Sequence, residues 1–213
     1  MSSDEARTKR KRGRGADPGR TRDELVEAAA ASLLEEGYRG TTARSIASRA
    51  DCNQAAIYYH FGGIEPLLIE ALDRSSARRL ERYRESLTEQ ETLPELVRRL
   101  AALYAEDRET GHFALLTELL GGVTASPELQ AGIEATTKPW LEFIEERVAS
   151  TVRALPFGAA LPADDLADLV FSVVVGVELR SRVDGNTDRA DRLFRLAELA
   201  ATLVQSQPPE IPG

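Results

Sequence analysis

From Arg22 onward, apolar residues recur at three- and four-residue intervals along nearly the whole chain, and no stretch alternates with the period of two that a strand demands. That periodicity confines the fold to the all-α class, with about nine helices. Leu25, Val26, Ala29, Leu33 and Leu34 form a first stripe, and Gly37 stands where such a helix would end. Thr41 is placed to cap a short second helix carrying Ala43, Ile46, Ala47 and Ala50. Asp51-Cys52-Asn53 reads as a turn, Asn53 caps a third helix from Gln54 to about His60, and Gly62-Gly63 stops it. Longer helices are predicted from about Glu65 to Thr88, from the capping box at Thr92 and Glu95 to about Thr110, and from Gly111 to Thr124. Ser126-Pro127-Glu128 opens a further helix that Pro139 must kink or restart. Beyond a loop from Pro156 to Pro162, two last helices cover about 163–183 and 188–206.

The 213 residues, 42% of them hydrophobic, suffice for one or two domains with a real core. Cys52 is the only cysteine, which excludes a disulfide framework within the chain, and two histidines, His60 and His112, exclude a zinc finger. The longest apolar run, Leu169 to Val177, is far short of the roughly 20 residues of a membrane helix. No apolar segment follows the basic start, so a secretory signal is not expected and the protein is read as cytoplasmic. No nucleophile–base pair, metal set or phosphate loop stands out, so neither an enzyme nor a cofactor or metal is expected.

The formal charge of −8 is unevenly spread. Residues 1–62 hold 11 Lys and Arg against 9 Asp and Glu, while the remainder holds 16 against 26. Arg7, Lys9, Arg10, Lys11, Arg12 and Arg14 concentrate the positive charge in residues 1–20, which have little to bury and read as a disordered basic arm. A basic head on an acidic body is suited to meeting a polyanion only at the head; by itself, the arm fits a solubilising tail equally well.

Two short helices joined by a tight turn, preceded by a packing helix, make a helix-turn-helix over about 42–61, whose second helix is built to lie in a DNA major groove. At about 100° per residue, Gln54, Ala55, Tyr58 and Tyr59 fall within one arc, and Ala56, Ile57 and His60 fall opposite. Two outward tyrosines on so short a helix make sense against DNA. Phenol hydroxyls bind phosphates, glutamine reads adenine, and an alanine methyl meets that of thymine.

Residues 22–72 resemble the DNA-binding domain of the TetR family of bacterial transcriptional regulators. The resemblance rests on Glu36-Gly37-Tyr38, Gly40-Thr41-Thr42, Ile46-Ala47, Ala50, the run Ala56-Ile57-Tyr58-Tyr59-His60-Phe61, and Glu65 and Leu67 beyond it. It implies an all-α dimer with a DNA-binding domain over 21–72 and a divergent helical ligand-binding and dimerisation domain over 73–213. By family position, Thr42 and Arg44 would touch the DNA backbone, and Asn53, Gln54, Ala55, Tyr58, Tyr59 and His60 would belong to the recognition segment. Asp51-Cys52 stands where the family has Gly-aliphatic, and Ile64 replaces a lysine common just after Phe61, removing one expected phosphate contact. Cys52 suits either a redox switch or a small core hydrophobe.

In the body, Tyr104, His112, Phe113, Glu118, Trp140 and Phe143 mix aromatic and polar groups as a small-molecule pocket does, or as a plain aromatic core does. The last two helices are apolar around most of their girth and need a second buried side. The resemblance assigns that side to a copy of the chain, through Leu169, Val173, Val177, Leu193, Leu196 and Ala200. The expected function is a homodimeric repressor that binds a palindromic double-stranded DNA operator and is released by a small molecule. The alternatives are an activator without a small-molecule inducer, or an all-α ligand-binding or interaction protein.

Overall fold

A computed structural model describes residues 18–88, 91–153 and 161–206, which form nine α-helices, a single 3-10 turn and no strand. The basic segment expected as an arm lies outside these residues, except that Pro18, Gly19 and Arg20 already open the first helix.

Helix α1 (Pro18–Gly40) buries Leu25, Val26, Ala29 and Leu33, the predicted stripe, while Leu34 at its edge stays partly exposed. Gly37 breaks it with φ 72° and ψ 173°, a left-handed φ that glycine takes without a side-chain clash. Helix α2 (Ala43–Arg49) starts one residue later than expected. Thr41 spends its hydroxyl on the Gly37 carbonyl at 2.8 Å, and Thr42 caps instead, its Oγ1 accepting from the Ser45 N–H at 3.1 Å. Helix α3 (Ala55–Phe61) follows a turn in which Asp51 sits at φ 49°, one of the few conformations where aspartate substitutes for glycine. Gln54, not Asn53, occupies the N-cap position; Asn53 stands one residue ahead of it, its Oδ1 accepting from the Ala55 N–H at 3.0 Å.

Helix α4 (Ile64–Ser86) is about 34 Å long at ~1.5 Å per residue and ties the two halves together. Its first half, through Leu67, Leu68, Ala71 and Leu72, closes a core with α1, Ile46 and Ala47 of α2, and Ile57 of α3. The same core continues into the body through Leu115, Leu116 and Leu119 of α6 (His112–Gly122) and Leu129 and Ile133 of α7 (Pro127–Val152). The second half of α4 packs Leu80 and Tyr83 against Leu103 of α5 (Leu93–Glu109) and Trp140 and Phe143 of α7. The capping box at the start of α5 forms as expected, Glu95 Oε2 accepting from the Thr92 N–H and hydroxyl.

Helix α7 does not restart at Pro139. The proline ring is on the exposed side, and the opposite face buries Ile133, Thr136, Trp140 and Phe143 continuously, so packing carries the helix past the missing N–H. Helix α8 (Ala163–Asp184) lies against α7, and α9 (Arg189–Gln205) lies against α5.

One charged cluster sits inside the body. Asp107 of α5 is fully buried and accepts from Arg79 at 2.6 Å, from the Tyr83 hydroxyl at 2.7 Å and from Arg82. Removing the carboxylate leaves buried guanidinium charge without a partner. Asp107→Ala is therefore expected to cost about 3–5 kcal/mol of unfolding free energy in a urea titration, and a loss below ~1 kcal/mol would contradict this reading of the cluster.

Candidate functional site

The helix-turn-helix presents one outward face. Gln54 and Ala55 are exposed, Tyr58 is 55% and Tyr59 84% exposed, while Ile57 is completely buried and Ala56 and His60 are half-buried. The division follows the angular arithmetic residue by residue. The far end of α3 is pinned by the Arg22 guanidinium, which lies 4.9 Å above the Phe61 ring and pairs with Glu70 at 2.8 Å. Tyr59 stands edge-on to His60, ring centroids 4.9 Å apart.

Thr42, the N-cap of α2, and Arg44 on α2 are also exposed. Of the arginines in the described part of the head, Arg20, Arg22 and Arg49 are paired with Glu24, Glu70 and Glu35. Arg39 and Arg44 have no carboxylate partner among the described residues. Arg39, which sequence reasoning missed, lines a groove with Thr41, Tyr58 and Gly63; no spacing on α1 marked it, because the break at Gly37 turns it out of the helical register. Cys52 packs against the core beneath the turn, and burial, aided by Glu24 and Asp51, pushes its thiol pKa up. That environment suits a small hydrophobe and disfavours a thiolate.

The body holds a partly open cavity of about 140 Å³ between α4, α5, α6, α7, α8 and α9. Five of the six expected pocket residues line it: Tyr104, His112, Phe113, Trp140 and Phe143. Glu118 does not. Its carboxylate accepts from the Tyr38 N–H at 3.2 Å and from Arg182 of α8 at 2.5 Å, joining the end of α1 to the body. Beside it, Tyr38 donates its hydroxyl to Glu65 at 3.0 Å, Ser126 donates to the same carboxylate at 2.5 Å, and Gly122 leaves room for the Tyr38 ring.

Sequence reasoning missed Ser76, Arg79 and Tyr83 in the cavity wall. A signal existed: with Leu72 they follow four-, three- and four-residue steps, putting a serine and an arginine on the buried stripe of α4. Trp140 donates its indole N–H to Ser76 at 2.7 Å, and the Arg79 guanidinium stacks 4.7 Å from the centroids of both Phe113 and Trp140.

Of the six residues expected at a dimer interface, Leu169, Val173, Leu193, Leu196 and Ala200 are exposed on α8 and α9. Val177 is only 9% exposed and packs with Tyr104 and Phe113, because α8 turns that side inward. Exposed Leu199 and Leu203 extend the apolar face of α9. No helix among the described residues is long and apolar enough to cross a membrane.

His112, hydrogen-bonded through Nδ1 to Ser75 at 2.9 Å, has its pKa lowered to about 2 by burial and by the nearby Arg79. An unfolded histidine protonates near its ordinary pKa of ~6.5, and the folded one does not. This group therefore leaves stability intact above that pH and removes it as the pH falls, by up to ~1.4 kcal/mol per pH unit. His112→Asn is expected to flatten the decline in urea midpoint between neutrality and mildly acid pH; an unchanged slope would contradict a buried neutral imidazole.

Residues 25–71 match the family model described as "Bacterial regulatory proteins, tetR family". The HTH-type transcriptional repressor AcnR of Corynebacterium glutamicum is 36% identical over 66 residues, 31% of this chain and 35% of AcnR. The chain spans about a third of the length of the curated relatives it matches. Over the fold, a putative TetR-family transcriptional regulator from Rhodococcus sp. superposes with TM-score 0.69 at 19% identity, covering 87% of this chain and 98% of that one. A putative transcriptional regulator from Saccharomonospora viridis, solved in complex with choline, superposes with TM-score 0.67 at 19% identity, covering 84% and 94%. Residues 25–71 are thus similar in sequence to the tetR family of bacterial regulatory proteins, and the helical fold as a whole is similar to that of regulators already solved.

Proposed function

We propose that this protein is a homodimeric, sequence-specific DNA-binding repressor that leaves its operator when a small molecule fills the body cavity. The observation that carries the reading is the outward face of α3, where Gln54, Ala55, Tyr58 and Tyr59 are exposed, together with Arg39 in the groove beside Tyr58 and the exposed Arg44 of α2, neither of which has a carboxylate partner among the described residues. The repressor relatives support the transcriptional role through the part of the chain they share. The apolar faces of α8 and α9 support self-association, since a soluble monomer rarely leaves such a patch uncovered. Choline, bound by the Saccharomonospora viridis neighbour, is a poor guide to the ligand here, because the Arg79 guanidinium in the cavity wall repels a cation and already stacks on Phe113 and Trp140.

The direct test is titration of the protein against DNA from beside its own coding region, with salt and competitor DNA varied. Gln54→Ala is expected to relax discrimination at one base position, by about 1–3 kcal/mol. Tyr58→Phe should weaken all sequences alike, as loss of a phosphate contact does. Arg44→Ala should make the dependence of log K on log salt shallower by roughly one unit per chain. Indistinguishable sequence profiles for Gln54→Ala and Tyr58→Phe would refute this assignment of roles.

The interface makes a separate prediction. Leu196→Asp, at a residue 62% exposed in one chain, is expected to yield a folded monomer in sedimentation, whereas Val177→Asp should unfold the chain because it buries a charge in the protomer's own core. A Leu196→Asp protein that remains dimeric would put the interface elsewhere.

A further inference from the structure

The cavity has a chemical bias that its shape alone does not convey. Most of its wall is aliphatic or aromatic, with Leu72, Phe113, Trp140, Phe143, Phe171 and Phe194 prominent. Most of its hydroxyls are already committed within the protein. Ser76 accepts from Trp140, Thr137 donates to the Ile133 carbonyl at 2.9 Å, Tyr83 donates to Asp107, and Tyr104 donates to Glu178. His112 is uncharged near neutral pH. Arg79 is the single formally charged side chain in the wall.

Arg79 is not fully used by the protein. Its side chain is 9% exposed, and one terminal nitrogen bonds Asp107, yet its buried Nε has no hydrogen-bond partner. Asp107 is shared with Arg82, which also lies 3.7 Å from Glu106, so Asp107 occupies one edge of the Arg79 guanidinium and leaves its Nε unpartnered. A buried, partly unsatisfied guanidinium is costly without an acceptor, and a planar carboxylate is the acceptor that its fork best matches. A cation would meet both the charge of Arg79 and faces of Phe113 and Trp140 already stacked against it. Size narrows the class further: a dry cavity of about 150 Å³ holds one benzene-sized ring, and this one is about 140 Å³.

We infer that the cavity takes a small, flat, apolar carboxylic acid, of the size of a single aromatic ring, with its carboxylate on Arg79 and its body among the aromatic side chains. This rests on the ligand-controlled reading above and gives that ligand a class. The inward serine and arginine of α4 become the specificity-determining feature of the pocket, and the body pocket discriminates by charge before shape.

The test uses the full chain without DNA, so that it does not depend on operator binding, and reads the emission of Trp140, the only tryptophan. The probes are benzoate, benzyl alcohol and benzylammonium. Benzoate is expected to change the emission saturably, with at least tenfold higher affinity than benzyl alcohol, and benzylammonium to have no effect. A second protein carries Arg79→Met with Asp107→Leu, which removes the buried pair and leaves the partly exposed Arg82 to Glu106; its fold is checked by circular dichroism, and the preference for benzoate should vanish while benzyl alcohol still binds. A wild-type protein that binds benzyl alcohol or benzylammonium as well as benzoate overturns the acid assignment and leaves the ligand-binding reading standing. Benzoate preference that persists in the double variant overturns the role of Arg79, and no saturable change with any probe overturns the proposed class outright. Absence of operator binding, measured separately, would strike the repressor reading without altering any of these outcomes.

Discussion

The structure depends on one continuous apolar core shared by the head and the body. Helix α3 has seven residues and buries only Ile57 completely, too little to hold a helix of that length in water. Its orientation is imposed from beneath by Leu25, Leu33, Ile46, Leu67 and Leu68, all essentially inaccessible to solvent. Leu119 and Leu129 extend the same core into α6 and α7. The outward face of α3 is therefore aimed by packing that includes the body.

Polar contacts refine that junction. Glu118 receives the Tyr38 amide beyond the break at Gly37 and holds Arg182 of α8, while Glu65 at the start of α4 receives Tyr38 and Ser126. The opposite half of α4 carries Ser76, Arg79 and Tyr83 in the cavity wall. On the proposed reading, a ligand at Arg79 acts on the helix to which the head is fastened. The bistable element required for such coupling is then α4 together with the Tyr38–Glu118 contact, both of which touch head and body.

The helical period made most of the fold legible, since it reports which face of each helix is buried. The outward set Gln54, Ala55, Tyr58 and Tyr59 followed from angle alone because α3 has a single covered side. Angle alone failed for α8, which is apolar on two sides: Val173 and Val177 share a stripe, yet the first is 46% exposed and the second faces Tyr104 and Phe113. Glu118 was misplaced for a related reason. Its partners Tyr38 and Arg182 lie 80 and 64 residues away in sequence, and no local pattern announces them. The Asp107 cluster was equally hidden, because a buried acid and an exposed one look alike until the helices are assembled.

The most direct test of the account is a hydroxyl-radical footprint of the full-length protein on DNA from beside its own coding region. Two head domains related by a two-fold axis should protect two inverted half-sites, with centres separated by about one helical turn, roughly 34–36 Å, or a multiple of it. Protection of a single asymmetric half-site, or none beyond that given by unrelated DNA, would contradict the account.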